Sequence, residues 1–342
     1  MKIAVVILNW NGRALLEQFL PSVTQYSADK DTVVVVADNG STDDSVDFVK
    51  KTYPTVQILQ LEENYGFALG YNKALEQIDA EYYVLLNSDV EVTEGWLKPL
   101  IAYLDAHPDV AACGPKILDY KDKTKFEYAG AAGGFIDKYA YPYCRGRMFN
   151  TVEADNGQYD TITDCLWVSG ACLMVRAAVY RQHAGLDERF FAHMEEIDFC
   201  WRLNNSGLKV VNIPQSVIYH VGGASLAMGN PRKTFLNFRN SLLCLYKNTE
   251  KEKLSYILFR RLILDGIAAV KFLLTDSPAH FMAVYRAHRA FFKLKKFYGP
   301  LEASVPVFAG KKLVWQGSIV IAYYFKKVHK YTSLTKYSEQ YK

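Results

Sequence analysis

Asp89 follows an unbroken apolar run, Tyr82-Tyr83-Val84-Leu85-Leu86, and the polar pair Asn87-Ser88. A short apolar run bounded by turn formers reads as a strand buried on both faces, and α/β sheets place their chemistry where such strands end. A carboxylate there suits a hard divalent cation, because Mg²⁺ or Mn²⁺ takes one or two carboxylates and completes its shell with water and substrate phosphates. It equally suits capping of the turn that follows. Asp38 ends a second such run, Thr32–Ala37, and opens Asn39-Gly40-Ser41-Thr42-Asp43. Its carboxylate can accept from a base imide or a ribose hydroxyl, or it can simply form the turn. Between Asn64 and Asn72, Gly66 and Gly70 flank a helix start, where backbone N–H groups can approach a phosphate or a nucleoside, or where glycine only lets helix and sheet pack closely. Glu195, Glu196 and Asp198, with Arg202, follow Phe190-Phe191-Ala192-His193-Met194. Aromatic neighbours that limit water raise a carboxylate's pKa, while an acidic run also suits a helix N-terminus.

The elements that must hold these groups alternate through the first 120 residues. Strands are expected at Ile3–Leu8, Thr32–Ala37, Val56–Leu61, Tyr82–Leu86 and Val110–Ile117, and helices at Arg13–Tyr26, Asp43–Lys51, Phe67–Ile78 and Glu94–His107. Such alternation implies a mostly parallel sheet flanked by helices. Neither G-x-G-x-x-G after the first strand nor G-x-x-x-x-G-K-[ST] occurs, which removes the common dinucleotide and P-loop readings. The length of 342 residues allows about two domains. The N-terminus runs straight into a strand without a signal-peptide pattern, so a cytoplasmic protein is expected. Six cysteines without CxxC spacing indicate reduced thiols rather than a zinc site or a disulfide framework. Residues 120–163 read as a loop region with a solvated charge run, Lys121–Lys125. Its Phe135–Phe149 part is either a surface excursion or a flap with Arg145 and Arg147 on a phosphate.

The runs Val6–Gly12, Asp38–Asp43, Asn64–Phe67 and Leu85–Asp89, followed by Trp167–Arg176, Gly185–Phe191 and Glu195–Arg202, resemble the ordered motifs of glycosyltransferase family 2, especially its rhamnosyltransferase-like members. The resemblance covers about residues 3–245. It implies a GT-A fold: a nucleotide-sugar-binding sheet, an acceptor-binding half, a Mg²⁺ or Mn²⁺ ion and inversion at the anomeric carbon. By the same resemblance, Asn9, Asp38, Asn64, Gly66, Asn72, Ser88 and Gly170 contact the nucleotide-sugar donor. The family's metal motif is often Asp-x-Asp, whereas this chain has Asn87-Ser88-Asp89, so Asp89 needs help. The resemblance offers His220, after the last sheet strand. Glu196 matches the general base of the family's Glu-Asp-x-Asp pattern, one methylene longer than the usual Asp, and Glu195 is its rival. A hydroxyl acceptor needs such a carboxylate to take its proton during attack.

Charge divides the chain. Residues 1–220 hold 19 Lys and Arg against 30 Asp and Glu, and residues 221–342 hold 21 against 6. An acidic front half argues against nucleic acid, and a basic, aromatic back half suits an anionic membrane surface. A catalytic domain is therefore expected over 1–222 and a helical C-terminal region over 223–342. Helices at Leu254–Leu274 and Phe281–Tyr298 carry Lys and Arg in apolar sequence, and neither offers an apolar stretch long enough to span a bilayer. They suit an interfacial position, packing on the catalytic part, or a homo-oligomer. The expected partners are a nucleotide-diphosphate sugar and a saccharide or lipid-linked acceptor at the inner face of the plasma membrane. The rival readings are a nucleotidyltransferase, which wants a longer basic loop after the first strand, and a non-catalytic sugar-nucleotide-binding or membrane scaffold protein.

Overall fold

The computed structural model describes residues 1–222, 229–299 and 313–334. The first part of the C-terminal region, 223–228, and the stretches 300–312 and 335–342 lie outside it. The chain begins β1 (Ile3–Asn9), α1 (Arg13–Tyr26), β2 (Thr32–Asp38), α2 (Ser45–Thr52), β3 (Gln57–Gln60), α3 (Gly66–Leu75), β4 (Tyr82–Leu86), β5 (Val90–Val92), α4 (Leu97–Ala106) and β6 (Val110–Asp119). Side chains of β1 alternate between two cores, as a pleated strand requires. Ile3, Val5 and Ile7 face α1 and α4 with Leu16, Leu20 and Leu100. Ala4 and Val6 face α3 with Ala68, Tyr71 and Leu75. β4 is buried along its whole length.

Four short strands follow, β7 (Gly134–Asp137), β8 (Pro142–Cys144), β9 (Arg147–Met148) and β10 (Thr151–Val152). Then come β11 (Thr163–Cys165), β12 (Cys172–Arg176), α5 (Ala177–Gln182), α6 (Glu195–Asn205) and β13 (Lys209–His220). The large sheet runs β11-β13-β6-β12-β4-β1-β2-β3, with β5 also paired to β13. β1, β2, β3 and β4 are mutually parallel, and β12 is inserted antiparallel between β4 and β6. Residues 134–152, read from sequence as a loop, instead form a small sheet that buries Phe135, Ile136, Tyr143, Cys144 and Met148 in the main core. Its strands are two to four residues long, too short to leave a periodic pattern. All six cysteines are free and buried.

The C-terminal region is α7 (Pro231–Asn248), α8 (Lys251–Thr275) and α9 (Pro278–Leu294), then β14 (Val314–Trp315) and a π-helical turn Ile321–Phe325. It shares the core of the large sheet. Leu242, Leu243 and Leu245 of α7, Phe291 of α9, and Ile319 and Ala322 belong to the same buried cluster as Val6 and Leu85. β14 adds a parallel strand to β7. Buried Asp137 accepts from the amides of Tyr139, Tyr141 and Ile319, and burial lifts its carboxyl to about 6. α8 is fastened through Arg261, which lies 2.8 Å from Asp265 and donates to the Tyr139 carbonyl and the Ser241 hydroxyl. Asp265 also accepts from the Tyr141 hydroxyl at 2.7 Å.

A buried pair of this kind punishes loss of one partner more than loss of both. Arg261→Met is therefore expected to lower unfolding free energy by about 3–5 kcal/mol in a urea titration, and Arg261→Met/Asp265→Leu by clearly less. Equal losses in the two variants would show that the pair does not hold α8.

Candidate active site

The parallel register places Asn9 directly beside Asp38 at the ends of β1 and β2. Asn9 Nδ2 donates to Asp38 Oδ1 at 3.1 Å and to the Ser41 hydroxyl at 3.2 Å. The Ser41 amide donates to Asp38 Oδ2 at 3.0 Å. Asp38 thus forms the turn and, because each carboxylate oxygen accepts more than one bond, keeps capacity for a ligand donor. Asn9 Oδ1 is buried without a partner.

The next strand along, β4, delivers Asn87-Ser88-Asp89 to the same edge. The antiparallel partner β12 begins there, and the Asn87 amide donates to the Ala171 carbonyl at 3.0 Å. The far end of β13 arrives as well, since His220 pairs in register with Val90, and the Val221 amide donates to the Asp89 carbonyl. His220 Nε2 then lies 3.1 Å from Asp89 Oδ1 and 3.3 Å from Asn87 Nδ2. On its other side, Nδ1 is 3.4 Å from Oε1 of Glu127, a residue that the sequence reading missed. Glu127 belongs to no motif. The only local signal was an acid between apolar Phe126 and Tyr128, and a fold is needed to bring it across to β13. Gly222 closes this corner: its φ is +70°, and a Cβ there would stand 2.8 Å from Glu127 Oε1. Burial opposes charge on His220, but its bonds to Asp89 and Glu127 prevail and raise it to about 10. The imidazole's positive charge therefore sits between the Asp89 and Glu127 carboxylates, and a metal ion at Nε2 would take the place of its proton.

These residues fit a divalent ion. Neighbouring ligands of an octahedral ion at about 2.1 Å stand about 3.0 Å apart, close to the separation of Asp89 Oδ1 and His220 Nε2. A carboxylate behind the imidazole is the usual orienting device for a ligating histidine. Among the described residues no three His, Cys, Asp or Glu side chains converge as a complete metal cage, which leaves water and phosphate to fill the shell, as Mg²⁺ prefers.

The acidic cluster opens α6 beyond a contorted loop. Phe191, His193 and Met194 have φ of 64°, 70° and 73°, a region non-glycine residues seldom adopt. Two neighbouring elements hold them. Asn240 of α7 donates to the carbonyls of Phe190, Ala192 and His193 at 2.7–2.9 Å, and Arg239 to those of Arg189 and Phe190. From the donor side, the Phe67 amide donates to the Phe191 carbonyl at 2.9 Å. Gly66, at φ +76°, lets the Phe191 ring lie where a Cβ would be, 2.7 Å away.

Glu195 is buried and Glu196 half-buried, and each has one oxygen, Oε2, without a partner among the described residues. Burial raises both carboxyls, and repulsion from Glu196 raises Glu195 further. The amides of Ile197, Gly170 and Met194 favour the charged form of Glu196, so Glu196 ionises first. A Cβ on Gly170 would stand 3.7 Å from the Glu196 side chain, and its neighbour Ala171 is bonded to Asn87. One three-residue link, Ser169–Ala171, thus joins the carboxylate to the Asn87–Asp89 turn. His193, its Nε2 also unpartnered, is held neutral because burial, then Lys233, lowers it to about 4.

Several expected positions are corrected. Asn72 is largely spent inside the protein: Nδ2 donates to the Leu186 carbonyl, and Oδ1 accepts from the Tyr180 hydroxyl and the Leu186 amide, which leaves one Nδ2 proton. Gly170 lies against Glu196 and Phe67. The N–H groups at the start of α3 are spent inside the protein, Tyr65 on Asn39, Gly66 on Asn64 and Phe67 on Phe191. Asn64 and Gly66 therefore shape the donor edge through that turn and do not cradle a phosphate with these amides. Arg145 and Arg147 are buried, with guanidinium groups on Ala132, Thr163, Asn212 and Tyr128, so neither reaches out to a phosphate. Ser88 stays half-buried in the turn beside Asp89. Asp198 is a structural hub, paired with Arg202 and Lys247 and bonded to Asn248.

The profile of the family described as Glycosyl transferase family 2 matches residues 4–180. Among curated relatives, the chain is similar to N-acetylglucosaminyl-diphospho-decaprenol L-rhamnosyltransferase of Mycobacterium tuberculosis, 27% identical over 231 residues that cover 63% of this chain and 75% of that one. Among solved structures it is similar to S. aureus TarS 1-349 in complex with UDP-GlcNAc, with a TM-score of 0.58, 17% identity, and coverage of 86% of this chain and 81% of that one. It is also similar to the mannosyltransferase PcManGT from Pyrobaculum calidifontis in complex with GDP-Man and Mn²⁺, with a TM-score of 0.52, 15% identity, and coverage of 99% and 84%.

Two outcomes test this arrangement. Asn240→Ala is expected to cut kcat by about 10–100-fold with little change in donor binding, because the loop that aims Glu196 relaxes; unchanged kcat would make Asn240 purely a packing residue. A base whose carboxyl is raised by burial is protonated, and idle, up to a higher pH. The acid limb of the rate profile should therefore lie above the usual glutamate value of about 4.3 and vanish in Glu196→Gln.

Proposed function

This chain belongs to glycosyl transferase family 2 and has the GT-A fold, and we propose that it is an inverting, metal-dependent glycosyltransferase that moves a hexosyl or deoxyhexosyl unit from a nucleotide-diphosphate donor to a saccharide acceptor carried on a lipid, in surface polysaccharide synthesis. The observation that carries the reading is the continuity of one sheet edge. Asp89 and His220 stand at one end of the Ser169–Ala171 link and Glu196 at the other, with Asn9 one strand along and Asp38 two. The name of the M. tuberculosis relative, an L-rhamnosyltransferase acting on a diphospho-decaprenol-linked sugar, supports the lipid-linked acceptor.

In this reading Asp38 and Asn9, with the turn shaped by Asn64 and Gly66, hold the nucleoside. Asp89 and His220 hold Mg²⁺ or Mn²⁺, and Glu127 fixes the imidazole. When bound, that ion supplies positive charge to the leaving diphosphate. Glu196 accepts the proton of the acceptor hydroxyl as its oxygen bonds to the anomeric carbon, while the bond from that carbon to the diphosphate oxygen breaks on the opposite face. Attack from the opposite face inverts the configuration. Glu195, more deeply buried and pushed further from ionisation, is the poorer base.

Glu196→Gln should lower kcat by about 10²–10⁴-fold with donor affinity kept, and Glu195→Gln by less; the reverse ranking would give the role to Glu195. Asp89→Asn should abolish transfer and donor hydrolysis while circular dichroism stays native, and near-normal turnover would remove Asp89 from the reaction. A thermal-shift screen of nucleotide sugars with Mn²⁺ identifies the donor, since a ligand of the folded state raises Tm by mass action. No stabilisation by any of them, with or without metal, would sink the reading.

A further inference from the structure

Helix α8 is packed on one side and exposes apolar side chains on the other. Its inner face buries Leu254, Arg261, Asp265 and Ala269. On the opposite face Tyr256, Phe259, Ile263, Ile267, Val270 and Leu274 are 47–79% exposed. Their spacing of three, four, four, three and four residues makes one continuous stripe about 27 Å long. A continuous apolar stripe on a helix is normally covered, and among the described residues nothing covers this one.

Cations border the stripe. Arg260 lies four residues after Tyr256, 5.2 Å over its ring, and Lys271 lies four after Ile267. Lys271 also reaches over the ring of Tyr324, at 4.8 Å, which brings the exposed Ile321, Tyr324 and Phe325 alongside. Neither Arg260 nor Lys271 has a carboxylate partner among the described residues. From residue 251 to 298, eight Lys and Arg are exposed against two carboxylates, Glu252 and Asp276.

From this pattern we propose that the outer face of α8 docks on an anionic phospholipid surface, lying in the headgroup region with its stripe inserted and Arg260 and Lys271 on lipid phosphates. The proposal deepens the reading given above, because it names where a lipid-linked acceptor is met. Charge decides the occupant. A second copy would bring the same excess of cations against itself, whereas an anionic surface neutralises them while aromatic side chains settle at the interface. No helix among the described residues is long and apolar enough to cross a membrane, so docking rather than spanning is what α8 can offer. α8 rests on α7, whose Arg239 and Asn240 hold the loop before Glu196, and the docked face is thereby coupled to the acceptor side of the cleft.

The test is sedimentation of the full chain, without any sugar, with vesicles of phosphatidylcholine alone or mixed with phosphatidylglycerol. Binding to the anionic vesicles is expected to be about tenfold or more tighter, and to fall sharply at about 1 M salt. Ile263→Asp/Ile267→Asp and Arg260→Glu/Lys271→Glu should each lose this binding and keep the wild-type rate of donor hydrolysis without vesicles. Equal binding to both vesicle types, no binding, or binding unchanged in both variants overturns the proposal. So does a stripe variant that converts a dimer to a monomer by light scattering while vesicle binding persists, since the face would then belong to a second copy. Donor hydrolysis is scored separately, so its absence would sink the transferase reading without altering the vesicle result.

Discussion

The loop from Phe190 to Met194 is the constraint on which the rest of the site depends. Three non-glycine residues at positive φ cost of order 1–3 kcal/mol each, and such backbone persists only where its surroundings dictate it. Here the surroundings come from opposite ends of the chain. The amide of Phe67 reaches the loop from the donor side, and Arg239 and Asn240 reach it from α7. The loop in turn sets where α6 begins, and with it the position of Glu196 against Gly170. The start of α3, Glu196 and the C-terminal helices are therefore mechanically one object.

Buried charge fastens that object. Asp198 gathers Arg202, Lys247 and Asn248, and Lys247 reaches Asp187 as well, at 2.6 Å. Asp265 gathers Arg261 and Tyr141. Each cluster joins a segment before residue 222 to one after it, so the division of net charge along the sequence does not separate two independent cores. Lys247 of the basic back half is buried against Asp187 and Asp198 of the acidic front half, while eight cations of α8, α9 and the turn after α9 stay exposed. At the candidate site the balance differs: among the described residues, oxygens of Glu195, Glu196 and Asn9 and a nitrogen of His193 are buried without hydrogen bonds. Such groups gathered near one edge, while Arg13, Asn204, Asn205, Ser216 and Tyr298 leave theirs scattered through the fold, suit a place where substrate completes the set.

Much of this was legible in the sequence. The run Tyr82–Leu86, the strands Ile3–Leu8 and Thr32–Ala37 and the helix Arg13–Tyr26 stand as read, because burial on one or both faces imposes a periodicity that neighbours along the chain record. Asp38, Asp89 and Glu196 were legible for a related reason: each sits at the end of an element whose type is locally encoded, and a sheet edge collects such ends. Family 2 motifs added their order, and the chain's membership agrees with it.

What only the tertiary structure decided is who meets whom. Glu127 reaches His220 across the sheet, Asn72 is taken by Leu186 more than a hundred residues away, and the amides opening α3 are claimed by Asn39, Asn64 and Phe191. Nothing in the local pattern of these residues distinguishes a group aimed at a ligand from one satisfied by distant backbone, since both are polar and both flank a turn. Strands of two to four residues leave no period, so the small sheet of 134–152 and its partner Val314–Trp315 were invisible until pairing made them. Sequence by itself determined the elements and the carboxylates at their ends; the packing of remote segments determined which polar atoms remain unspent, and those are the ones left for chemistry.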